Sequence, residues 1–109
     1  MNKQRMSVLI ALLAGFASLV HAGGNPEAGK AKAQVCFGCH GTDGNGVSPD
    51  FPKIAGQYPD YLAQALTAYK AGTRSNPIMA GQAQALSKQD IKDLAAYFSG
   101  VNGQLYVKK

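Results

Sequence analysis

Apolar residues recur at helical spacing in three parts of this chain. The clearest stripe is Ile91, Leu94, Ala95 and Phe98, at i, i+3, i+4 and i+7, which puts all four on one face of an α-helix. Ser87 and Asp90 supply an S-x-x-D start resembling a capping box, and Gly100 supplies a stop. A second stripe, Tyr61, Leu62, Ala65, Leu66 and Tyr69, lies between Pro59 at the start and Gly72 at the end. The first helix is marked by Asn25-Pro26-Glu27, an N-cap, a first-turn proline and an acid near the positive helix end, and it should run toward Cys36. Gly29, Ala33, Cys36 and His40 share a face if that helix continues. The segments Gly41 to Tyr58 and Thr73 to Leu86 are rich in Gly, Pro, Asn and Ser and read as long irregular loops. Strand-type alternation is nearly absent. The pattern therefore predicts an all-α domain of three main helices, and loops this long in so small a domain need something to wrap around.

Ahead of these elements, Lys3 and Arg5 precede the apolar run Ser7 to Val20, and Val20 and Ala22 fit the −3 and −1 positions of a signal-peptidase site. The run is shorter than the roughly 20 residues of a membrane-spanning helix. Residues 1–22 are read as a cleaved Sec signal peptide and 23–109 as one domain, exported to the periplasm of a Gram-negative bacterium. Removing Lys3 and Arg5 lowers the basic residues from eleven to nine against six acidic ones, a net charge of +3. With no basic run and no tryptophan, nothing points to nucleic acid, and no stable membrane insertion is expected after cleavage.

Candidate chemistry is concentrated in "VCFGCHGTDGNG", Val35 to Gly46. Cys36, Cys39 and His40 can be a redox dithiol, part of a zinc site, a plain disulfide, or a haem attachment. A thioredoxin-like dithiol starts a helix after a strand, whereas these cysteines end a predicted helix, where the dipole opposes a thiolate. Structural zinc takes four ligands, and once His21 leaves with the signal the chain offers three Cys and His residues. A disulfide closing so short a loop adds little stability and gives His40 no role. The haem reading uses all three residues: two thioethers to the porphyrin edge and a histidine placed to bind iron.

The sixth ligand then decides the chemistry. An iron held by one histidine binds gases or peroxide, and an iron held on both sides carries electrons. Met1 and Met6 belong to the signal, so Met79, in "SNPIMAGQAQ", is the remaining soft ligand. A lone methionine is commonly a core filler. Here it follows Pro77 in a predicted loop of a Cys-x-x-Cys-His chain, which favours ligation.

With "CFGCHGTDGNG", "FPKIAGQYPDYLAQAL", "SNPIMA" and "LSKQDIKDLAAYFSG" in view, the chain resembles the small class I bacterial c-type cytochromes, which also occur as one half of di-haem periplasmic carriers. The resemblance runs from Gly29 to about Gly100. It implies a small cytochrome c fold, with the three helices and long loops wrapped around one covalent haem c. It implies thioethers at Cys36 and Cys39, axial ligands at His40 and Met79, and a Pro52 carbonyl accepting a hydrogen bond from the other His40 ring nitrogen. Gly29 and Ala33 should meet Tyr97 where the first and last helices cross. Ile54, Tyr61, Leu66 and Ile78 would form pocket wall, and Gln57, Arg74 and Asn76 would bond to propionates or lie near the Met79 sulfur. The tail after Gly100 extends past the usual end of the family, and Leu105, Tyr106 and Val107 would pack on the body or fray.

The function implied is that of an electron carrier with no substrate of its own, a monomer or weak dimer. It would shuttle between larger redox enzymes, such as a quinol-oxidising complex and a terminal oxidase, peroxidase or reductase. Two ionised propionates would bring the net charge to about +1, so steering would fall to Lys53, Lys70, Lys88 and Lys92. The alternatives are a haem-based gas binder or sensor with a displaceable sixth ligand, and a haem subunit of a larger complex.

Overall fold

The structure is a computed structural model describing residues 23–103 and residue 105. The expected signal segment 1–22, Tyr106 and Val107 lie outside the described residues. The elements are helical: α1 (Pro26–Lys32), a 3₁₀ turn (Ala33–Val35), α2 (Phe37–His40), α3 (Pro59–Ala71), α4 (Pro77–Gln84) and α5 (Lys88–Gly100). No strand occurs among the described residues.

Two differences from the expected pattern matter. The first helix is not continuous: it tightens into the 3₁₀ turn at Ala33–Val35 and restarts as α2, whose N-cap position is Cys36. Cys36 therefore begins a short helix instead of ending a long one. The second difference is α4, a helix inside the expected loop Thr73 to Leu86. Asn76 caps it, its side-chain oxygen accepting from the Ile78 and Met79 amides at 3.0 Å each, and Pro77 opens its first turn. The same Asn-Pro device starts α1, where Asn25 accepts from Glu27 and Ala28 at 2.9 and 3.1 Å. Met79 thus stands in a first helical turn, with its backbone fixed by the cap.

The packing frame is α1 crossing α5. A Cβ on Gly29 would lie 2.0 Å from the Asp93 carbonyl oxygen and 2.8 Å from the Tyr97 Cβ, so only glycine admits this approach. Beyond the crossing, Phe37 meets Phe98 edge-on with centroids 6.3 Å apart, and Tyr97 and Phe98 pack at 5.0 Å. The buried core contains Ala33, Leu62, Leu94, Ala95 and Phe98 and joins the 3₁₀ turn, α3 and α5. At the other end, α4 is tied to α3: Lys70 donates to the Leu86 carbonyl, and Gln84 returns a bond to the Lys70 carbonyl at 3.0 Å.

An ionic latch closes the crossing. Lys32 Nζ lies 2.7 Å from both Asp90 Oδ1 and Asp93 Oδ2. Buried Asp93 also accepts from the Asn25 amide and from Gln89, each at 2.8 Å. Burial pushes the Asp93 carboxyl up, but those donors outweigh it and hold it below the usual range. The Lys32 ammonium, with the Ser87 amide, holds Asp90 down at about 2 from an ordinary 3.8. A carboxylate with a depressed folded pKa contributes stability that is fully present above its unfolded value and is lost as pH falls toward the folded one. Acid weakening of the latch is therefore expected between about pH 4 and pH 2. Asp90→Asn should flatten that limb of the stability curve in thermal melts, and Asp93→Ala, which strands the Asn25 amide, should cost about 2 kcal/mol at neutral pH.

Candidate haem site

A cavity of about 300 Å³ opens between α3, α5 and the segment Pro52 to Gln57, and a second of about 170 Å³ adjoins it. Both are bordered by Cys36, His40 and Met79, so they form two lobes of one cleft. Each of these side chains is placed by its backbone. The carbonyls of Cys39 and His40, near the end of α2, accept from the Val47 and Gly46 amides at 3.1 and 2.6 Å, which folds the Gly41–Val47 loop back onto the helix end. His40 is buried, and its Nδ1 lies 2.8 Å from the Pro52 carbonyl oxygen. A carbonyl can only accept, so Nδ1 is the donor of this bond and Nε2 is the ring nitrogen it leaves unengaged. The ring is thereby oriented on the cleft wall.

Met79, which borders both lobes with His40, is half-buried in the first turn of α4. Both thiols are free; Cys36 borders both lobes and Cys39 the smaller one. Burial pushes the Cys36 thiol up from its ordinary value of 9.0, despite its place at a helix start. A raised thiol pKa disfavours the low-pKa thiolate that a redox dithiol uses.

The other expected residues gather here too. Pro52, Ile54, Gln57, Tyr61, Leu66 and Arg74 border the larger lobe, and Asn76 and Ile78 the smaller. Two of them have local tasks. Gln57 Oε1 accepts from the Tyr58 amide at 2.9 Å, and the Asn76 oxygen is committed to the α4 cap. Arg74 donates to the Tyr61 hydroxyl at 3.2 Å, with its guanidinium 5.0 Å from the Tyr69 ring centre. Val35 and Gln82 also border the cleft, a place sequence reasoning did not give them. Gln82 stands three residues after Met79, a spacing that signals a shared face once α4 is known to be a helix.

An oriented histidine, a thioether and two thiols around an apolar cleft suit a planar, covalently attached iron macrocycle better than a metal ion alone. Among the described residues, no group of three His, Cys, Asp or Glu side chains could hold a metal ion. Comparison with known proteins agrees with this donor set: the cytochrome c family model matches residues 26–102. The chain belongs to the cytochrome c family. Its cofactor is covalently bound haem c, and the donors lining the cleft fit that group.

This cytochrome is 48% identical over 99 residues to cytochrome c4 of Pseudomonas aeruginosa, covering 91% of this chain and 48% of that one. It is 43% identical over 79 residues to cytochrome c-554(548) of Halomonas halodenitrificans, covering 70% of this chain and 95% of that one. The crystal structure of reduced recombinant cytochrome c4 from Pseudomonas stutzeri superposes with a TM-score of 0.72 at 43% identity, covering 76% of this chain and 48% of that chain. The chain thus spans about half the length of the cytochrome c4 relatives it matches.

Proposed function

We propose that this cytochrome is a one-electron carrier in which His40 and Met79 are the fifth and sixth iron ligands and Cys36 and Cys39 the thioether attachments. Haem c supplies the exchange between Fe(III) and Fe(II). The observation that carries the reading is that His40, with Nδ1 engaged by Pro52, and Met79, fixed by the Asn76 cap, border the same cleft. The His40–Pro52 bond keeps the ring oriented and strengthens its donation. The Asn76 cap holds Met79 on the α4 backbone, so both donors are positioned before any electron arrives. Little rearrangement between oxidation states follows from that, and a carrier needs no more.

The proposal extends to location and partners. Residues 1–22 are a cleaved export leader, the working compartment is the periplasm, and the partners are larger redox proteins. The leader pattern Lys3, Arg5, Ser7 to Val20 and Ala22 supports the compartment. Among the described residues, no helix is long and apolar enough to cross a membrane. The cytochrome is read as having no substrate of its own: His40 is committed to iron, and paired carboxylates are not apparent in the sequence.

The test is a visible spectrum of protein matured in a periplasmic host, recorded oxidised, reduced, and reduced under carbon monoxide. A low-spin reduced spectrum unchanged by carbon monoxide is expected. A ready shift would place the protein among gas binders, with Met79 off the iron or easily displaced.

A further inference from the structure

Past Asn102, where the family match stops, Gly103 and Leu105 lie against the rim of the cleft. Gly103 sits directly on Ala55: a Cβ there would lie 2.4 Å from the Ala55 carbonyl oxygen and 2.7 Å from its Cβ. Ala55 is fully buried, and its amide is anchored from the other side by the Gly44 carbonyl at 3.0 Å. Next to it, the Gly56 amide donates to the Phe98 carbonyl at 2.8 Å. An ideal Cβ on Gly56 would stand 3.5 Å from the Val101 carbonyl oxygen and 3.6 Å from that of Leu105. Leu105 is half-buried and borders the larger lobe together with Ile54 and Gln57.

We propose that Gly103 and Leu105 act as a strap that closes the cleft over its Ile54 to Gln57 wall and raises the reduction potential of the bound haem. This rests on the haem site described above. Leu105 contributes apolar surface where the cleft would otherwise meet water. An apolar cover disfavours the more highly charged ferric state, because solvent stabilises the extra charge. Gly103 sets the path, since any larger residue would lift the strap from Ala55. Gly103 is the anchor and Leu105 the cover.

The experiment uses full-length protein with its haem attached, comparing the unaltered chain with Leu105→Ala, Leu105→Ile and Gly103→Ala by potentiometric titration, reduced spectrum and thermal melt. The reduction constant is expected to fall roughly threefold in Leu105→Ala and Gly103→Ala, about 30 mV for one electron at 59 mV per decade. The spectra should stay low-spin, and Leu105→Ile should keep the original potential. A lower melting temperature with unchanged potentials in both variants would overturn the strap and leave a purely structural contact. Absence of covalent haem from the unaltered chain would instead overturn the haem reading beneath it.

Discussion

The double variant Cys36→Ala/Cys39→Ala should leave the cell without any haem that survives denaturing extraction, and the chain should lose most of its stability with it. The first half of the result follows from the thiols. Cys36 and Cys39 stand three residues apart at the start and within α2, so they share a side of that turn, next to His40. The second half follows from the core. Among the described residues, eight hydrophobic side chains are buried and four of them are alanines, and Leu62, Leu94, Ala95 and Phe98 also border the cleft. Protein alone thus provides a thin interior, which the cofactor completes. The loss should reach at least about 4 kcal/mol, the linkage expected for a ligand held a thousandfold above its dissociation constant. Thermal melts by far-ultraviolet circular dichroism would measure it. A cooperative transition at the unaltered temperature would mean that the domain folds without its cofactor. The single variant Cys36→Ala separates attachment from folding. One thioether remains, one vinyl group stays conjugated with the ring, and the reduced absorption should move to longer wavelength.

Helices were legible where start, stripe and stop agreed. Ser87, Asp90 and the stripe from Ile91 to Phe98 specify α5, and the capping box forms with both bonds, at 3.0 and 2.9 Å. Pro59 and Gly72 bound α3 in the same way. Residues 77–84 carry the right start in Asn76-Pro77 but no sustained apolar stripe, and Gly81 weakens the helical pattern. Its helical state is secured by the cap and by the ties from Lys70 and Gln84, which are long-range and leave no local trace. The break at Ala33–Val35 was equally hidden. No proline or glycine marks it, and in the fold it falls where Ala33 enters the core and the chain turns to present Cys36.

At the site, residue types with rare chemistry were readable, and their supports less so. Cys36, Cys39, His40 and Met79 are conspicuous because few side chains bind haem or iron. The Pro52 position came from the family resemblance, since nothing in a lone proline announces a carbonyl aimed at an imidazole 2.8 Å away. Gln57 and Asn76 were assigned to the cofactor through the family resemblance, yet each spends an oxygen on a backbone amide. A polar side chain near a loop or helix start meets its own backbone first.

Replacing Met79 by alanine should separate the electron carrier from the gas binder within one fold. Alanine keeps the backbone amide that Asn76 accepts at 3.0 Å, so α4 and its contacts with α3 should persist, and only the thioether is removed. His40 stays oriented through Pro52, so haem attachment should be unchanged. With one axial donor left, the reduced protein should become partly high-spin and bind carbon monoxide, which the unaltered protein should resist. The midpoint potential should fall by on the order of 0.1–0.2 V, a fraction of the roughly 0.8 V range that axial ligation commands, because thioether sulfur favours ferrous iron. Met79→His provides the control: a second imidazole should restore the low-spin spectrum and exclude carbon monoxide while the potential stays low. If alanine leaves both spectrum and potential untouched, Met79 is cleft wall, and the sixth donor must be sought among the other side chains bordering the two lobes. Gln82, three residues along α4 and bordering both lobes, would be the next to change.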